Sequence, residues 1–429
     1  MRKLSLVLTA AAALSACTRA VRTSADAPVP SAATASDADL VARARAIHAR
    51  VITIDTHKDI PDNFATPDAD PKSMNAQVNL DKMKAGGYDM AFFAVYVGQG
   101  ARTDSGNAAA KDRALNKFSA IHRMAEQLYP NLIEIAYTPD DVERIHNSGK
   151  LVAGIGIENG WVIGKDLSLI KRYYDLGARY MTLAHTSNND ICDSSTDPKG
   201  PEWHGLSPFG RQVVQEMNRV GMMLDVSHVS KECMMQATAL STSPVIGSHS
   251  STTALANVPR NMDDEMLLAI KRNNGVMQTV AFSSYVKVQP PQRDTLARKL
   301  NDEFFGITPP GGRGGGRGGR GRAALSPERQ AEYDRRMAEI DTRFPPPTVA
   351  DFVNHIDHAV KVAGIDHVGI SSDFDGGGGI SGWRDASETF NVTLELVRRG
   401  YSEADIRKLW GGNVLRVWGE NQKRAKTKA

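Results

Sequence analysis

His57 and Asp59 lie two positions apart at the end of the apolar run Val51–Thr56. Side chains two positions apart on a β-strand point to the same side, so both groups can face one point from a rigid support. Imidazole and carboxylate together suit zinc or a similar divalent metal ion. A single histidine in such a place is more often a hydrogen-bonded core or turn residue. The pair therefore indicates a metal site only if other groups of the same chemistry accompany it.

Five further groups of this kind stand at or just after other apolar runs. They close the stretches GIGIE, MTLAH, MLDVSH, VIGSH and VGISSD, and they are Glu158, His185, His228, His249 and Asp373. Taken singly, Glu158 could be a buried ion-pair partner and Asp373 a turn former. Taken together, the groups exceed what one tetrahedral ion with an open position requires. The surplus predicts two metal ions with a carboxylate able to bridge them.

The apolar runs themselves indicate the elements that must position these groups. Eight short runs bounded by turn residues are candidate strands: Val51–Thr56, Met90–Val97, Leu151–Ile157, Tyr180–Ala184, Met222–Val226, Pro244–Gly247, Val276–Phe282 and His367–Ser371. Amphipathic stretches such as FGRQVVQEMNRVG lie between most of them and end in or near glycine, as helices often do. The alternation predicts an α/β fold in which a parallel sheet closes into a (β/α)8 TIM-type barrel.

A doubly wound open sheet is the alternative fold, but no G-x-G-x-x-G follows the first run to support it. In a parallel barrel the carboxyl ends of all strands meet on one face, where the loops build the active site. We therefore expect a binuclear metal site at that face. The other histidines in helical patterns or at a strand start are expected to be solvated or capping residues and not ligands: His48, His122, His146, His355, His358 and His367.

The amino-terminal segment is typical of an exported protein. Residues 1–16 combine Arg2 and Lys3 with a short apolar run, a pattern that predicts a signal peptide. The apolar run is too short to span a bilayer as a mature helix. The run closes on LSAC, which resembles the lipobox of bacterial lipoproteins and predicts lipidation of Cys17. An ordinary cleavage site beside an incidental cysteine is the alternative. Residues 17–37 suit a flexible tether.

The remaining chain predicts one barrel domain over residues 38–420, with a Gly/Arg-rich insertion at 309–322 and a basic tail at 421–429. The formal net charge of +3 is too small to argue for a nucleic-acid partner. In an exported protein the insertion is better explained as a solvated segment than as an RNA-binding one, and we hypothesise that it forms a flap over the barrel mouth. The sequence leaves open whether Cys192 and Cys233 form a disulfide.

With these residues at its strand ends, the chain resembles the membrane dipeptidase (renal dipeptidase) family of zinc peptidases, family M19, within the amidohydrolase-like barrels. The resemblance spans Asp55 to Trp418 and rests on motifs that occur in the family's order: THKD, GIEN, MTLAH, LDVSH, IGSHS, PRNMDDE, SDFDG and GGNVLRVW. It implies two Zn²⁺ ions per chain, although other divalent metals suit the same ligands. It also implies a zinc-dependent dipeptidase that uses a metal-bridging hydroxide and that accepts, in some members, a D-amino acid at the carboxyl end.

The resemblance assigns a role to each matching residue. His57 and Asp59 would bind one zinc, His228 and His249 the other, and Glu158 would bridge both. His185 would contact the scissile group and stabilise the oxyanion, and Asp373 would shuttle a proton as the second catalytic residue. Arg260 would bind the terminal carboxylate of the substrate, because its planar fork suits both oxygens. Without the resemblance, a surface ion pair with Asp263 or Asp264 is the simpler reading of Arg260.

Two departures from the family pattern bear on substrate preference. Lys58 stands where a small polar residue is common, and Asn159 stands where many members have glycine. Two alternative functions stay open: a related binuclear amidohydrolase acting on N-acyl amino acids or lactones, and a catalytically silent peptide-binding lipoprotein. The expected location is the cell envelope, with the lipid anchor as the membrane contact and Thr18 favouring the outer membrane facing the periplasm. A homodimer is compatible with the resemblance.

Overall fold

The computed structural model of the protein describes Met1, residues 36–306 and residues 325–426. The signal peptide after Met1, Cys17, most of the tether, the Gly/Arg-rich insertion and the last three residues of the tail lie outside these described residues. In the described part, none of the helices has the length and apolar character needed to cross a membrane.

The described chain contains nine strands that form one sheet. Their bounds are β1 Ile54–Asp59, β2 Met90–Tyr96, β3 Ile133–Ile135, β4 Leu151–Glu158, β5 Ala178–Thr182, β6 Met223–Asp225, β7 Ile246–Ser250, β8 Val276–Val280 and β9 Val368–Ser371. The order is β1-β2-β4-β5-β6-β7-β8-β9, and every pairing is parallel, with the short β3 attached to the start of β4. The amide of Asp59 donates to the carbonyl of Phe374 just after β9, at 2.9 Å, which nearly closes the eight main strands into a barrel.

Helices follow most strands and surround the barrel. Their bounds are α1 Asp37–His48, α2 Leu80–Gly86, α3 Asp104–His122, α4 Pro139–Asn147, α5 Ser168–Asp175, α6 Pro208–Val220, α7 Lys231–Leu240, α8 Asp264–Arg272, α9 Ser283–Val286, α10 Pro291–Phe305, α11 Pro327–Arg343, α12 Val349–Ala363, α13 Phe390–Arg398, α14 Glu403–Arg407 and α15 Asn413–Lys426. The (β/α)8 barrel expected from the sequence is confirmed.

Local sequence explains where these helices begin and end. Ser207 caps α6 through the amide of Gly210, Pro208 occupies its first turn, and Gly221 ends it in the left-handed conformation. Ser326 and Pro327 begin α11 in the same way. Proline costs no hydrogen bond in a first turn, because the amide it lacks has no partner inside the helix.

The core has an inner and an outer part. The inner cluster takes side chains from the starts of most strands, among them Ile54, Phe92 and Tyr180, together with Trp418 of α15. The outer, larger cluster packs the opposite strand faces against the surrounding helices. This arrangement fills the barrel at its amino-terminal end and leaves the carboxyl ends of the strands for polar side chains.

Two strand predictions differ from the structure in ways that matter for the site. The first strand begins three residues later than Val51 and extends through Asp59, so His57 and Asp59 lie within it. Its pairing with β2 slips between Asp55 and Lys58, which is a β-bulge. Likewise β7 runs through His249 to Ser250, past the predicted end at Gly247. The apolar pattern does not predict these strand ends, because it stops where the polar ligand residues begin, although the strand continues through them.

Candidate metal centre

The seven ionisable groups expected at the strand ends converge on the same face of the barrel. Strand β1 carries His57 and Asp59, β4 ends in Glu158, and β7 carries His249. The other three groups follow β5, β6 and β9. Ligand atoms of these residues approach within 4.8 Å of one another in three overlapping sets: His57/Glu158/His249, Glu158/His185/His228 and His57/Asp59/Asp373.

Glu158 lies at the centre of the cluster. Its Oε2 is 3.5 Å from Nε2 of His57, and its Oε1 is 3.0 Å from Nε2 of His228. The same Oε1 is 3.3 Å from His185 Nε2 and 3.5 Å from His249 Nε2. One buried carboxylate therefore faces four imidazoles with its two oxygens, as a group shared by two cation positions would.

The imidazole nitrogens do not satisfy one another. Nε2 of His228 lies 2.7 Å from Nε2 of His249, where one proton at most fits between two ring nitrogens. Nε2 of His57 is buried and has no hydrogen-bond partner among the described residues. Buried polar atoms without partners are costly. A cation between these donors would satisfy them, so the residues fit the divalent metal ions expected from the sequence.

The carboxylates of Asp59 and Asp373 form the second side of the cluster. Oδ1 of Asp373 is 4.0 Å from Nε2 of His57. Gly376 approaches both carboxylates so closely that a Cβ at this position would overlap Oδ2 of Asp59 and Oδ1 of Asp373. The loop SDFDG thus wraps around the two acids, and glycine is required where the backbone passes them.

Burial and crowding of negative charge perturb these acids in the metal-free protein. Burial raises the pKa of Asp59, and the nearby Glu158 adds to the rise. Burial likewise raises the pKa of Asp373 well above its usual range, with further contributions from Asp59 and Glu158. Burial also opposes ionisation of Glu158, but the neighbouring His185 and His57 hold its pKa well below its usual range. A carboxylate held ionised beside two that resist ionisation is the charge pattern that a cation would relieve.

The histidines divide into two classes. Burial favours neutral His57, but the charges of Glu158, Asp373 and Asp59 outweigh it and raise the pKa to about 10. Burial and the charge of Arg260 lower the pKa of His228, and burial followed by the charge of His57 lowers that of His249. Neutral imidazole is the form that binds metal, so His228 and His249 are already in their ligand form.

Residues from the barrel interior hold two of the imidazoles by their other ring nitrogen. Tyr180 donates its hydroxyl to the carbonyl of Thr56 at 2.9 Å and accepts from Nδ1 of His57 at 3.0 Å. Ser248 donates to Asp225 and accepts from Nδ1 of His249 at 2.8 Å. Each contact directs the Nε2 atom toward the centre of the cluster. The sequence did not indicate these supports, since Tyr180 lies outside the quoted motifs and the motif IGSHS assigns no role to Ser248.

Arg260 lies beside the cluster and is buried, with 6% of its surface exposed. One guanidinium nitrogen donates to the carbonyl of His249 at 3.1 Å, while Nε has no hydrogen-bond partner among the described residues. The guanidinium lies 5.4 Å from the ring centre of Tyr285. The surface pair with Asp263 or Asp264 does not form, because Asp263 caps α8 and pairs with Lys231 instead.

Tyr285 and Tyr96 are aromatic residues of the mouth that the sequence reasoning did not select. Tyr285 follows β8, and Tyr96 ends β2 with its ring 4.7 Å from the ring of His185. Their strands were the two predicted runs with no ionisable ligand at the end. Their position at the carboxyl end of a predicted strand was the available signal. In a parallel barrel such a position lies at the active-site face even when the side chain is not a metal ligand.

Asn159 shows what replaces glycine after Glu158. It adopts φ +76°, a backbone conformation that few side chains tolerate. Its side-chain Nδ2 donates to the carbonyl of Val97 at 3.1 Å, and its Oδ1 accepts from Nδ2 of Asn189 at 3.3 Å. These bonds connect the loops after β2, β4 and β5, which offsets the strained backbone.

The six histidines expected to be non-ligands take no part in the described metal cluster. The expectation that they are solvated or capping residues is wrong for His355, which is fully buried on α12. Its Nδ1 accepts from the amide of Thr252 and its Nε2 donates to the carbonyl of Val286. A polar side chain tolerates full burial when both nitrogens are bonded. Cys192 and Cys233 are buried free thiols.

Comparison with known proteins gives one consistent result. The model of the membrane dipeptidase family, peptidase family M19, matches residues 41–429. A curated relative, dipeptidase tcpJ of Claviceps purpurea (strain 20.1), is 32% identical over 354 residues, which cover 81% of this chain and 70% of that protein.

Solved structures agree with the family match. The structure of the probable dipeptidase PvdM from Pseudomonas aeruginosa is 34% identical, covers 90% of this chain and 99% of that one, and superposes with a TM-score of 0.76. A metallo peptidase from Rhodobacter sphaeroides, liganded with a phosphinate mimic of the dipeptide L-Ala-D-Ala, is 21% identical with a TM-score of 0.65 over 86% of this chain and 99% of that one. The latter likeness shows a shared fold.

Proposed function

The chain belongs to the membrane dipeptidase family, peptidase family M19, and is a metallodipeptidase; from this premise we propose that it uses two zinc ions to hydrolyse small dipeptides, including dipeptides that end in a D-amino acid. One observation carries the proposal: four imidazoles and a central carboxylate converge within a few ångströms beside a buried arginine. Such a donor set has no role in a purely structural barrel.

In this proposal His57 and Asp59 would hold one zinc, His228 and His249 would hold the other, and Glu158 would be shared between them. Histidine and carboxylate ligands accept zinc and also cobalt or manganese. When bound, two such ions supply Lewis-acid polarisation of the amide carbonyl and a water of lowered pKa. The chain's own residues then have to bind the substrate, orient it and move protons.

Asp373 is proposed to move the proton. Its place beside His57 and Asp59 suits a carboxyl group that takes a proton from the attacking water and returns it to the leaving amine. His185 is proposed to donate a hydrogen bond from Nε2 to the oxygen on which negative charge develops. No nucleophilic side chain is needed, and the nearby Ser227 and Ser248 serve as hydrogen-bond partners.

Arg260 is proposed to bind the carboxylate at the end of the substrate. Its buried Nε without a partner is the supporting observation, because a guanidinium in this state gains most from a charged oxygen. A carboxylate held at a fixed distance from the metal centre also limits substrate length. That favours dipeptides over longer peptides and over neutral lactones.

The location is proposed on the amino-terminal sequence. Lipidation at Cys17 after removal of the signal peptide would anchor the barrel through a tether to the envelope, on the periplasmic side of the outer membrane. Labelling of cells with a fatty-acid analogue would test it. Incorporation that a Cys17→Ala variant abolishes is expected, and equal labelling of both proteins would remove the proposal.

The test of the activity uses the full chain in detergent with L-Ala-L-Ala, L-Ala-D-Ala and the two corresponding dipeptide amides. We expect release of amino acid from the free dipeptides, loss of release on chelation and recovery with zinc. The amides should be poor substrates for the wild type, and an Arg260→Met variant should lose most of its preference for the free acid. A folded, metal-loaded protein that cuts none of these compounds would contradict the proposal.

A further inference from the structure

We propose that Lys58 and Asp375 form a positioning pair that holds the carboxylates of Asp59 and Asp373 in place across the seam of the barrel. The inference rests on the proposed function, because it assigns these two carboxylates to the metal centre. Lys58 stands between His57 and Asp59 in β1, and Asp375 lies two residues after Asp373. Neither residue contributes to the metal cluster itself among the described groups.

The side chain of Lys58 is turned away from the cluster and is completely buried. Its Nζ lies 5.6 Å and 5.3 Å from the ring centres of Phe64 and Phe93, which belong to the outer core. Alternation along β1 produces this arrangement, since His57 and Asp59 point to the cluster while Lys58, between them, points to the opposite side of the strand. A cation in such surroundings requires a partner.

Asp375 is that partner, with Oδ2 at 3.1 Å from Nζ of Lys58. Nζ donates no well-aligned hydrogen bond to any described residue, so the ion pair is its polar contact. Asp375 also accepts hydrogen bonds from the amides of Gln77 and Val78, at 2.7 and 3.2 Å. Its own amide donates to the side chain of Gln77 at 2.8 Å. Asp375 is therefore fixed from several sides, and Lys58 joins that fixed point to β1.

The pair spans the point where the first and last strands of the barrel meet. The backbones of Lys58 and Phe374 form an isolated parallel β-bridge. The amide of Asp59 donates to the carbonyl of Phe374 at 2.9 Å. Asp59 is the neighbour of Lys58 in the chain, and Asp373 lies two residues before Asp375. A shift of either paired residue therefore displaces one of the two site carboxylates.

The backbone around the pair needs such a restraint. Asp373 and Asp375 adopt φ +57° and +63°, which costs free energy for residues other than glycine. The ion pair is not needed to fill space, because the apolar neighbours of Lys58 would accept a methionine of similar length. Replacing a buried ion pair with apolar groups is often neutral for folding. Since the pair is needed neither to fill space nor to fold the chain, we assign it the role of positioning the carboxylates of Asp59 and Asp373.

The experiment compares Lys58→Met, Asp375→Asn and the double variant with the wild type in the full chain. Three quantities are measured: the urea midpoint of unfolding, zinc affinity by chelator competition, and kcat and KM on L-Ala-L-Ala. Asp375→Asn leaves a completely buried lysine without its ion pair and is expected to lose stability. Lys58→Met is expected to lose less, because Asp375 is partly exposed and keeps its hydrogen bonds from two backbone amides. The double variant should regain stability, yet its zinc affinity and kcat should stay about 10-fold or more below the wild type, with KM changed much less.

Arg179→Met is the matched control. Arg179 is another buried cation, but it lies at the opposite, amino-terminal end of β5 and donates to the carbonyls of Tyr137 and Tyr174. The Arg179→Met variant should lose stability, while its zinc affinity and kcat stay near those of the wild type. A double variant that regains zinc affinity and kcat together with stability would overturn the inference and leave the pair purely structural. If the wild type cuts no dipeptide, the proposed function fails, and zinc affinity alone still decides the role of the pair.

Discussion

At the residue scale, the metal centre depends on how each imidazole is held. His57 and His249 donate through Nδ1 to hydroxyl groups that are themselves fixed by a backbone carbonyl and by Asp225. Each hydroxyl donates its single proton elsewhere, so the imidazole must be the donor in this contact. In the neutral ring this fixes the tautomer, with the proton on Nδ1 and the electron pair that a metal requires on Nε2. His57 has to lose its second proton, from Nε2, to reach this form.

Tyr180→Phe removes the hydroxyl that orients His57 and leaves the ring in place. We expect zinc affinity to fall by about 10- to 100-fold, the usual effect of losing such an outer contact. Chelator competition measures it. Tyr173→Phe is the control, since Tyr173 is an equally buried tyrosine that donates to the carbonyl of Val162 away from the cluster. Equal zinc affinity in both variants would mean that Tyr180 does not orient the ligand.

At the element scale, β4 shows how a strand makes room for the residues beneath the site. Its sequence GIGIE places Gly156 two residues before Glu158. A Cβ on Gly156 would overlap the ring of Tyr180, which crosses the barrel interior to reach His57. The glycine is therefore needed for close approach, although strand interiors generally disfavour glycine.

Gly156→Ala should destabilise the barrel by about 1–3 kcal/mol, because overpacking displaces Tyr180 or the strand. Urea unfolding measures the loss, and zinc affinity should fall with it. Gly419→Ala is the control: Gly419 lies within α15, and a Cβ there meets Pro139 at an ordinary 3.6 Å. Alanine in that helix should add about 0.5–1 kcal/mol. A stable Gly156→Ala protein would show that Tyr180 can move without cost.

Helix α12 makes a second prediction at this scale, through the buried His355. Burial lowers the pKa of His355 below its usual value of 6.5, so the folded state resists a proton that the unfolded chain accepts. Its contribution to stability is present above that value and is lost as the pH falls through it. His355→Asn does not titrate, so the stability gap between wild type and variant should narrow from about pH 7.5 to about pH 5.5. A gap that stays constant between these values would exclude His355 as the cause.

At the scale of the whole molecule, the barrel gathers donors that are far apart in the chain. Six strands deliver the seven ionisable groups, and the seam between β1 and β9 brings Asp59 beside Asp373. A ligand that binds these groups binds the folded barrel and not the unfolded chain. Metal binding is therefore coupled to the stability of the entire domain.

Chelation should consequently lower the thermal midpoint, and added zinc should restore it. At zinc a thousandfold above Kd the gain is about 4 kcal/mol for one site. A His228→Ala/His249→Ala double variant should respond less than the wild type, because only the His57 and Asp59 side of the cluster remains. Differential scanning calorimetry measures the shift. Identical midpoints for chelated and zinc-loaded wild type would argue against a metal centre of useful affinity.

The sequence by itself determined the barrel class, the family and the order in which the ionisable groups follow the strands. It could do so because apolar runs and helix caps are local, and because parallel topology brings all carboxyl ends to one face. It did not determine the bulge in β1, the buried state of His355 or the true ends of β1 and β7.

Only the tertiary structure decided which partners these residues meet. Tyr180 supports His57 from 123 residues away, and Thr252 bonds to His355 from 103 residues away. Lys58 finds Asp375 because the first and last strands close against each other. Such contacts depend on packing between distant elements, which neither periodicity nor a motif encodes. The chemistry of the site was therefore readable from residue types, while its orientation was set by the closed barrel.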